Sequence, residues 1–429
     1  MRVLFAIMPS PTHLHPFVPL AWALQGAGHD VCVASYPDMV DTITEAGLTA
    51  VGLGDPVDLA AAVDDCAADR RLDPIIDPLV DPAQPGLWKV IRNILMSPFW
   101  MHFPAEGPAS GERPFTDALV SFARNWQPDL VLWDPMCFPG AVAARACGAA
   151  HARLLWAPDY FAWTRSKYRT WLSGSTDGTR EDLMAAMTAP TLERLGLSFD
   201  EELLVGQWSV DPMPADMRLP VDLEYVPVRR VPYTGSQAVP EWLHERPRKP
   251  RVCLTLGVSN RKFFGQDSRL PMAELFDAVA DMDIELVATL NADQLASVRR
   301  IPDNVRTVDY VPLNQLLPTC AAIMHHGSGG TFAAAVAHRT PQLIASRPSG
   351  QSMDIARYVE QRGAGLIAAD IESEDFSATE ARAQLERILG DRSFQAGADA
   401  LHEEVARMPS PNDVVPVLEK LTAQHRSRP

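Results

Sequence analysis

Residues 2–34 leave little freedom of architecture. Val3-Leu4-Phe5-Ala6-Ile7 is a short unbroken apolar run, the pattern of a strand buried on both faces. Met8 to His15 read as a proline-bearing loop. Pro16 suits a first helical turn, where a missing N–H costs nothing. Phe17, Leu20, Ala21 and Leu24 then recur on one helical face, and Gly26 and Gly28 stop the helix. Val31-Cys32-Val33-Ala34 is the next strand. A helix between two strands so close in sequence forces a parallel crossover, not a hairpin.

The unit recurs. Leu130-Val131-Leu132-Trp133 is a buried strand, followed by Asp134, a helix through Ala141–Ala146, Gly148 and a strand at Ala152–Trp156. Between Asp211 and Pro250 the pattern breaks. Pro212, Pro214, Pro220, Pro227, Pro232, Pro240, Pro247 and Pro250 oppose long helices and central strands there. Alternation restarts at Val252–Leu256, with further strands expected at Ile284–Ala288, Val305–Val308, Ala321–Met324 and Gln342–Ile344. The expected fold class is therefore α/β, with two Rossmann-like, doubly wound parallel-sheet domains facing each other across a cleft. The expected division is an N-terminal domain at 1–210, a proline-rich linker at 211–250 and a second domain at 251–408. A terminal helix within 409–429 carries Val414, Val415, Leu418 and Leu421 on one side and is expected to pack back on the first domain. Residues 55–115 fit the alternation poorly and read as a solvated insertion with one packed helix, or as a lid, acceptor pocket or partner surface.

At 47% hydrophobic and 21% charged, the 429 residues can fill real cores. A formal net charge of -16 argues against nucleic acid and anionic membranes as partners. No apolar run reaches membrane-spanning length, and prolines and histidines interrupt the N-terminal run too early for a signal peptide, so a cytoplasmic location is expected. The six cysteines show no Cys-x-x-Cys spacing and read as buried thiols.

The chemistry concentrates in His325-His326-Gly327-Ser328-Gly329-Gly330-Thr331. A strand, a small-residue loop and a helix start follow one another here. Such a site turns backbone N–H groups and a positive helix end towards an anion. The glycines admit a diphosphate close to the backbone. Ser328, Thr331 and His325 are candidate side-chain donors. The loop is neither a Walker A sequence nor Gly-x-Gly-x-x-Gly, and a plain structural turn explains it as well. No zinc-ligand spacing surrounds the paired histidines.

Taken together, these motifs resemble a family 1 glycosyltransferase of the GT-B fold, in the branch that decorates macrolide and anthracycline antibiotics. The resemblance runs from Met1–Phe5, Pro19–Leu24 and Ala27-Gly28-His29 through Pro128–Val131, Ala152–Trp156, Glu241-Trp242-Leu243 and Arg251–Gly257. Pro302–Arg306, the His325–Thr331 loop and Gly363-Ala364-Gly365 complete it. It implies an inverting, metal-independent, hexosyltransferase-type transfer of a deoxysugar or amino-deoxysugar of the desosaminyl or mycarosyl type. The donor would be a dTDP-sugar, with no further cofactor, and the acceptor a hydrophobic polyketide aglycone.

By the same resemblance His13 is the general base, at the carboxyl end of the first strand. His15 is the rival imidazole. Asp134 orients His13 or simply caps the next helix. For the donor, the resemblance implies roles for Gly257 and Ser259 near the phosphates and for Val311 and Pro312 at the nucleobase. Gln351 and Ser352, where related enzymes often carry Asp-Gln, stand with Asp354 at the sugar hydroxyls. Ser328 also departs, replacing the usual glycine. Asp281-Met282-Asp283 spells a metal-binding Asp-x-Asp but falls where a polar turn belongs, so no metal is expected.

Two other functions fit less of the sequence: a nucleotide-sugar epimerising hydrolase of the same fold, and a non-catalytic member of a glycosylation complex. The resemblance also brings in an auxiliary protein similar to a cytochrome P450 as a partner, with residues 55–115 as the candidate docking surface, and leaves a homodimer open.

Overall fold

The crossover unit at the N-terminus seeds a larger sheet. The computed structural model describes residues 1–103, 113–175, 180–235, 237–257, 272–296, 298–346, 350–368 and 376–426. Strand β1 (Arg2–Ala6) pairs in parallel with β2 (Asp30–Ser35) and with β4 (Leu130–Trp133). With β3 (Thr49–Gly52), β5 (Ala150–Leu154), β6 (Trp208–Asp211) and β7 (Tyr225–Pro227) the order is β3-β2-β1-β4-β5-β6-β7. Every pairing is parallel, as strands linked through helices must be.

A second parallel sheet follows: β8 (Arg251–Thr255), β9 (Glu285–Thr289), β10 (Val305–Val308), β11 (Ala322–His325), β12 (Gln342–Ala345) and β13 (Gly365–Ala368). Its order is β10-β9-β8-β11-β12-β13. The central strands are buried along their length, which explains their unbroken apolar sequence.

The chain divides into two compact units, Met1–Arg229 with Pro409–Pro429, and Arg230–Met408. The proline-rich stretch is therefore not purely a connection. Tyr225–Pro227 forms the edge strand of the first sheet, a place where Pro227 removes no needed ladder bond. Residues 230–250 belong to the second unit. The last helix, Pro411–His425, belongs to the first. Ser410 and Asp413 form a reciprocal capping box at its start. Val414, Val415, Leu418 and Leu421 are all buried, a contribution of about 1.5–3 kcal/mol each. An ion pair between Arg426 and Asp129 and a bond from the Arg229 N–H to the Pro409 carbonyl (2.6 Å) tie its two ends to the same unit.

Residues 55–103 hold more packed helix than a solvated insertion with one helix. Helices at Leu59–Ala68, Pro85–Val90 and Ser97–His102 send Cys66, Leu87, Trp88 and Phe99 into the first unit's core. Residues 104–112 lie outside the described residues. Four cysteines are buried, Cys147 and Cys320 are half-buried, and none forms a disulfide. Among the described residues no helix is long and apolar enough to cross a membrane.

Candidate active site

In open parallel sheets the strand order reverses at one point, and the strands' carboxyl ends open a crevice there. In the first sheet that point lies between β1 and β4. The expected loop after β1 is partly helical: Pro11 starts a short helix, Pro11–Leu14, which carries His13. The next helix begins at Val18, with Pro19 rather than Pro16 in its first turn. Asp134 immediately follows β4, and its N–H bonds the Ala6 carbonyl at the end of β1 (2.9 Å). Two adjacent strands thus deliver the two side chains to one place.

His13 Nδ1 lies 2.6 Å from Asp134 Oδ2. The Asp134 side chain is fully buried, while that of His13 keeps 17% exposure, so the imidazole has an open side. The other carboxylate oxygen accepts the Met136 N–H at 2.9 Å. With Nδ1–H donating to the carboxylate, the ring's lone pair sits on Nε2. That is the tautomer a base requires, held by a third group as in other triads. Trp156 packs against the imidazole in a T-shaped contact, ring centroids 4.9 Å apart. Sequence reading placed Trp156 at the end of a strand; β5 stops at Leu154, which frees Trp156 to turn towards His13. His15 is half-buried on the turn after His13.

In the second sheet the reversal lies between β8 and β11. Gly257 follows β8, and His325 ends β11. His325, expected as a phosphate donor, is engaged within the protein. Its side chain is fully buried, with Nε2 3.0 Å from Gln342 Oε1 and Nδ1 accepting the Gly327 N–H at 3.1 Å. Nε2 therefore donates to the amide oxygen, and both ring nitrogens serve to shape the loop. Burial, with the neighbouring His326 acting in the same direction, pushes its pKa down to about 3, so the ring is neutral.

Ser328 and Thr331, also expected as donors, bond to each other at the helix start. Ser328 is the N-cap of the Gly329–Ala337 helix, accepting the Thr331 N–H at 3.4 Å, and the two hydroxyl oxygens lie 3.0 Å apart. The hydroxyls satisfy this turn first. The first helical bond runs from Phe332 N–H to the Ser328 carbonyl, so the Gly329 and Gly330 N–H groups precede the intrahelical ladder. Gly330 is exposed.

Gly327 holds φ at +81°, and a Cβ there would stand 2.9 Å from the Ser352 carbonyl oxygen. That contact seats the loop on the start of the Gln351–Gln361 helix, whose first turn holds Gln351, Ser352 and Asp354. Gly257, at φ +74°, lies under the His326 ring, which a Cβ would approach to 2.5 Å. His326, not His325, is the imidazole between the two loops. The sequence offered a doublet and no means of ranking its members.

Val311 and Pro312 are buried at the start of a short helical turn, Leu313–Leu316. The 230–250 segment is pinned beside them. Thr234 Oγ1 donates to Asn314 Oδ1 (2.7 Å), Gln315 Nε2 donates to the Gln237 carbonyl (2.7 Å), and the Tyr310 hydroxyl donates to the Thr234 carbonyl. Ser259 lies outside the described residues. Asp281 pairs with Arg382 and Asp283 with Lys249, as surface turns do, and the described residues contain no metal-binding cluster of histidine, cysteine or acidic residues.

Two parallel-sheet units, one with a carboxylate-oriented imidazole and one with a glycine-rich helix start, define the GT-B class of glycosyltransferase. Residues 22–257 match the N-terminal domain, and residues 273–421 the C-terminal domain, of the erythromycin biosynthesis protein CIII-like family. The chain is 43% identical to the aclacinomycin-T 2-deoxy-L-fucose transferase of Streptomyces galilaeus over 99% of this chain and 97% of that protein. It is also 43% identical to the 10-deoxymethynolide desosaminyltransferase of Streptomyces venezuelae, over 100% and 99%. The crystal structure of the glycosyltransferase VinC in complex with dTDP superposes with a TM-score of 0.83 at 35% identity, covering 99% of this chain and 100% of VinC. The chain belongs to the CIII-like family and is a glycosyltransferase of antibiotic biosynthesis. Its named relatives transfer sugars, which does not favour the hydrolase or the non-catalytic reading.

Proposed function

We propose that this protein moves a deoxysugar or amino-deoxysugar from a dTDP-sugar to a hydroxyl of a polyketide aglycone, with inversion and without a metal. The observation that carries the reading is the 2.6 Å contact between His13 Nδ1 and buried Asp134, which fixes a basic Nε2 at the reversal point of the first sheet. The first unit takes the aglycone. Nε2 of His13 accepts the acceptor hydroxyl's proton as the oxygen attacks the anomeric carbon, and Asp134 stabilises the imidazolium that forms. The bond from that carbon to the diphosphate oxygen breaks, and its electron pair leaves with the nucleotide.

The second unit takes the donor. Backbone N–H groups of Gly329 and Gly330 meet the diphosphate at the positive helix end. His325, Ser328 and Thr331 hold that backbone in shape, and Gly257 and Ser259 border the phosphates from the neighbouring loop. Val311 and Pro312 present backbone groups to the base, and Gln351, Ser352 and Asp354 meet the sugar. The dTDP held by VinC and the relatives' names support these assignments. The auxiliary protein and a homodimer remain further proposals, resting on the family resemblance.

The test is product formation from a panel of dTDP-deoxysugars and aglycones, with and without an auxiliary protein of the P450-like kind. Glycoside that forms only when aglycone is present supports transfer. Release of free sugar at the same rate without aglycone overturns it in favour of hydrolysis.

A further inference from the structure

The donor loop carries little positive charge of its own. His325 is held neutral, the Ser328 and Thr331 hydroxyls serve the helix cap, and a helix N-terminus supplies only about half an elementary charge. The whole chain carries a formal charge of -16. A diphosphate, and more so a departing one, is stabilised further by a full cation nearby.

Arg230 supplies one from an unexpected part of the chain. It is the first residue of the second unit, in the proline-rich segment whose sequence suggests only a connection. Its Nη2 lies 3.4 Å from the point that a Cβ on Gly330 would occupy. Gly330 is exposed and second in its helix, so the guanidinium borders the open face of the helix start. Hydrogen bonds of Thr234 and Gln237 to Asn314 and Gln315 anchor the segment that carries it to the same unit. Burial lowers the pKa of Arg230 to about 10, which still leaves it charged at neutral pH. A cation beside a helix N-terminus is opposed by the helix dipole. An anion lying over the helix end reverses that opposition, because it attracts both.

We propose that Arg230 is a catalytic residue that binds the donor diphosphate and takes up the negative charge developing on it as the bond to the sugar breaks. This rests on the donor reading of the Gly329–Gly330 loop given above. Arginine suits the task because its planar fork pairs with two phosphate oxygens at once.

The experiment is calorimetry of the full chain with thymidine, dTMP and dTDP, for the natural protein, Arg230→Met and Arg230→Lys, with turnover measured on the same preparations. For Arg230→Met the expected result is a loss of about 10- to 100-fold in dTDP affinity, with thymidine affinity unchanged. Turnover should fall further than dTDP affinity does. Arg230→Lys should recover part of both, since it keeps the charge without the fork; should the Met variant not fold, a Lys variant weaker on dTDP alone carries the same result. Unchanged dTDP affinity and turnover in a folded Met variant would overturn the inference, as would equal losses on thymidine and dTDP. A natural protein that binds none of the three would instead remove the donor reading beneath it.

Discussion

Asp134 holds His13 by its Nδ1 at 2.6 Å from a site without solvent exposure, so one residue fixes both the tautomer and the direction of the other. Replacing His13 with Ala removes the base while leaving the donor unit intact. Turnover should fall by about 100- to 10,000-fold, with dTDP affinity unchanged. Asp134→Asn keeps the shape but offers Nδ1 an amide that can donate, which turns the lone pair inward. A loss of at least about 100-fold is expected. Initial rates beside dTDP titrations check both; a fully active His13→Ala enzyme would remove the proposed mechanism.

How much of this was legible depends on where the information lies. Strands β1, β4, β8 and β11 stand out in the sequence because both of their faces are buried, so their apolar runs are unbroken. The pairing of His13 with Asp134 follows from two such strands ending side by side. Residues 55–115 hid their helices because prolines occupy first turns, as Pro74, Pro85 and Pro98 do; in sequence those prolines look like breaks. The tautomer and orientation of His325 depend on Gln342 on the next strand, and the position of Arg230 on an anchored segment. Neither relation leaves a local pattern.

Buried histidines make the fold sensitive to mild acid. Burial pushes the pKa of His102 down to about 4 and those of His151 and His325 to about 3, from an ordinary 6.5. Below about pH 6.5 the unfolded chain binds these protons and the native state does not. Stability therefore falls as pH falls through that value and continues to fall towards pH 4, by at most about 1.4 kcal/mol per pH unit for each ring. Asp211, whose carboxyl burial raises, acts in the opposite sense. Urea midpoints measured at falling pH should decline across this window; a flat profile would mean that the native rings take up protons after all.

Chelation should leave activity intact. Asp281 and Asp283 are engaged by Arg382 and Lys249 at the surface, and the base and the phosphate-facing backbone need no ion for the proposed step. Rates before and after dialysis against EDTA test this. Loss of activity that a divalent cation restores would require a metal in the mechanism.

Ser328 caps the Gly329–Ala337 helix, and that role predicts which replacements are tolerated. Ser328→Gly should cost only a few tenths of a kcal/mol, since glycine itself is acceptable at an N-cap. Ser328→Ala should cost about 1 kcal/mol, because the Thr331 N–H loses its acceptor and the helix start frays. Thermal melts and dTDP titrations on the two variants should rank them in that order. If alanine and glycine behaved alike, the hydroxyl would not be acting as a cap.

Gly327 offers the sharpest test of how the loop is built. An alanine at φ +81° costs about 1–2 kcal/mol for the left-handed backbone alone. Its Cβ would also stand 2.9 Å from the Ser352 carbonyl oxygen, and a backbone atom at a helix start cannot swing aside. The loop must lift, and as it lifts the Gly327 N–H leaves His325 Nδ1. Gly327→Ala should therefore lower stability and weaken dTDP binding together, while the His13–Asp134 pair in the other unit is untouched. A variant that melts early yet binds dTDP normally would show that the phosphate site does not depend on this seat.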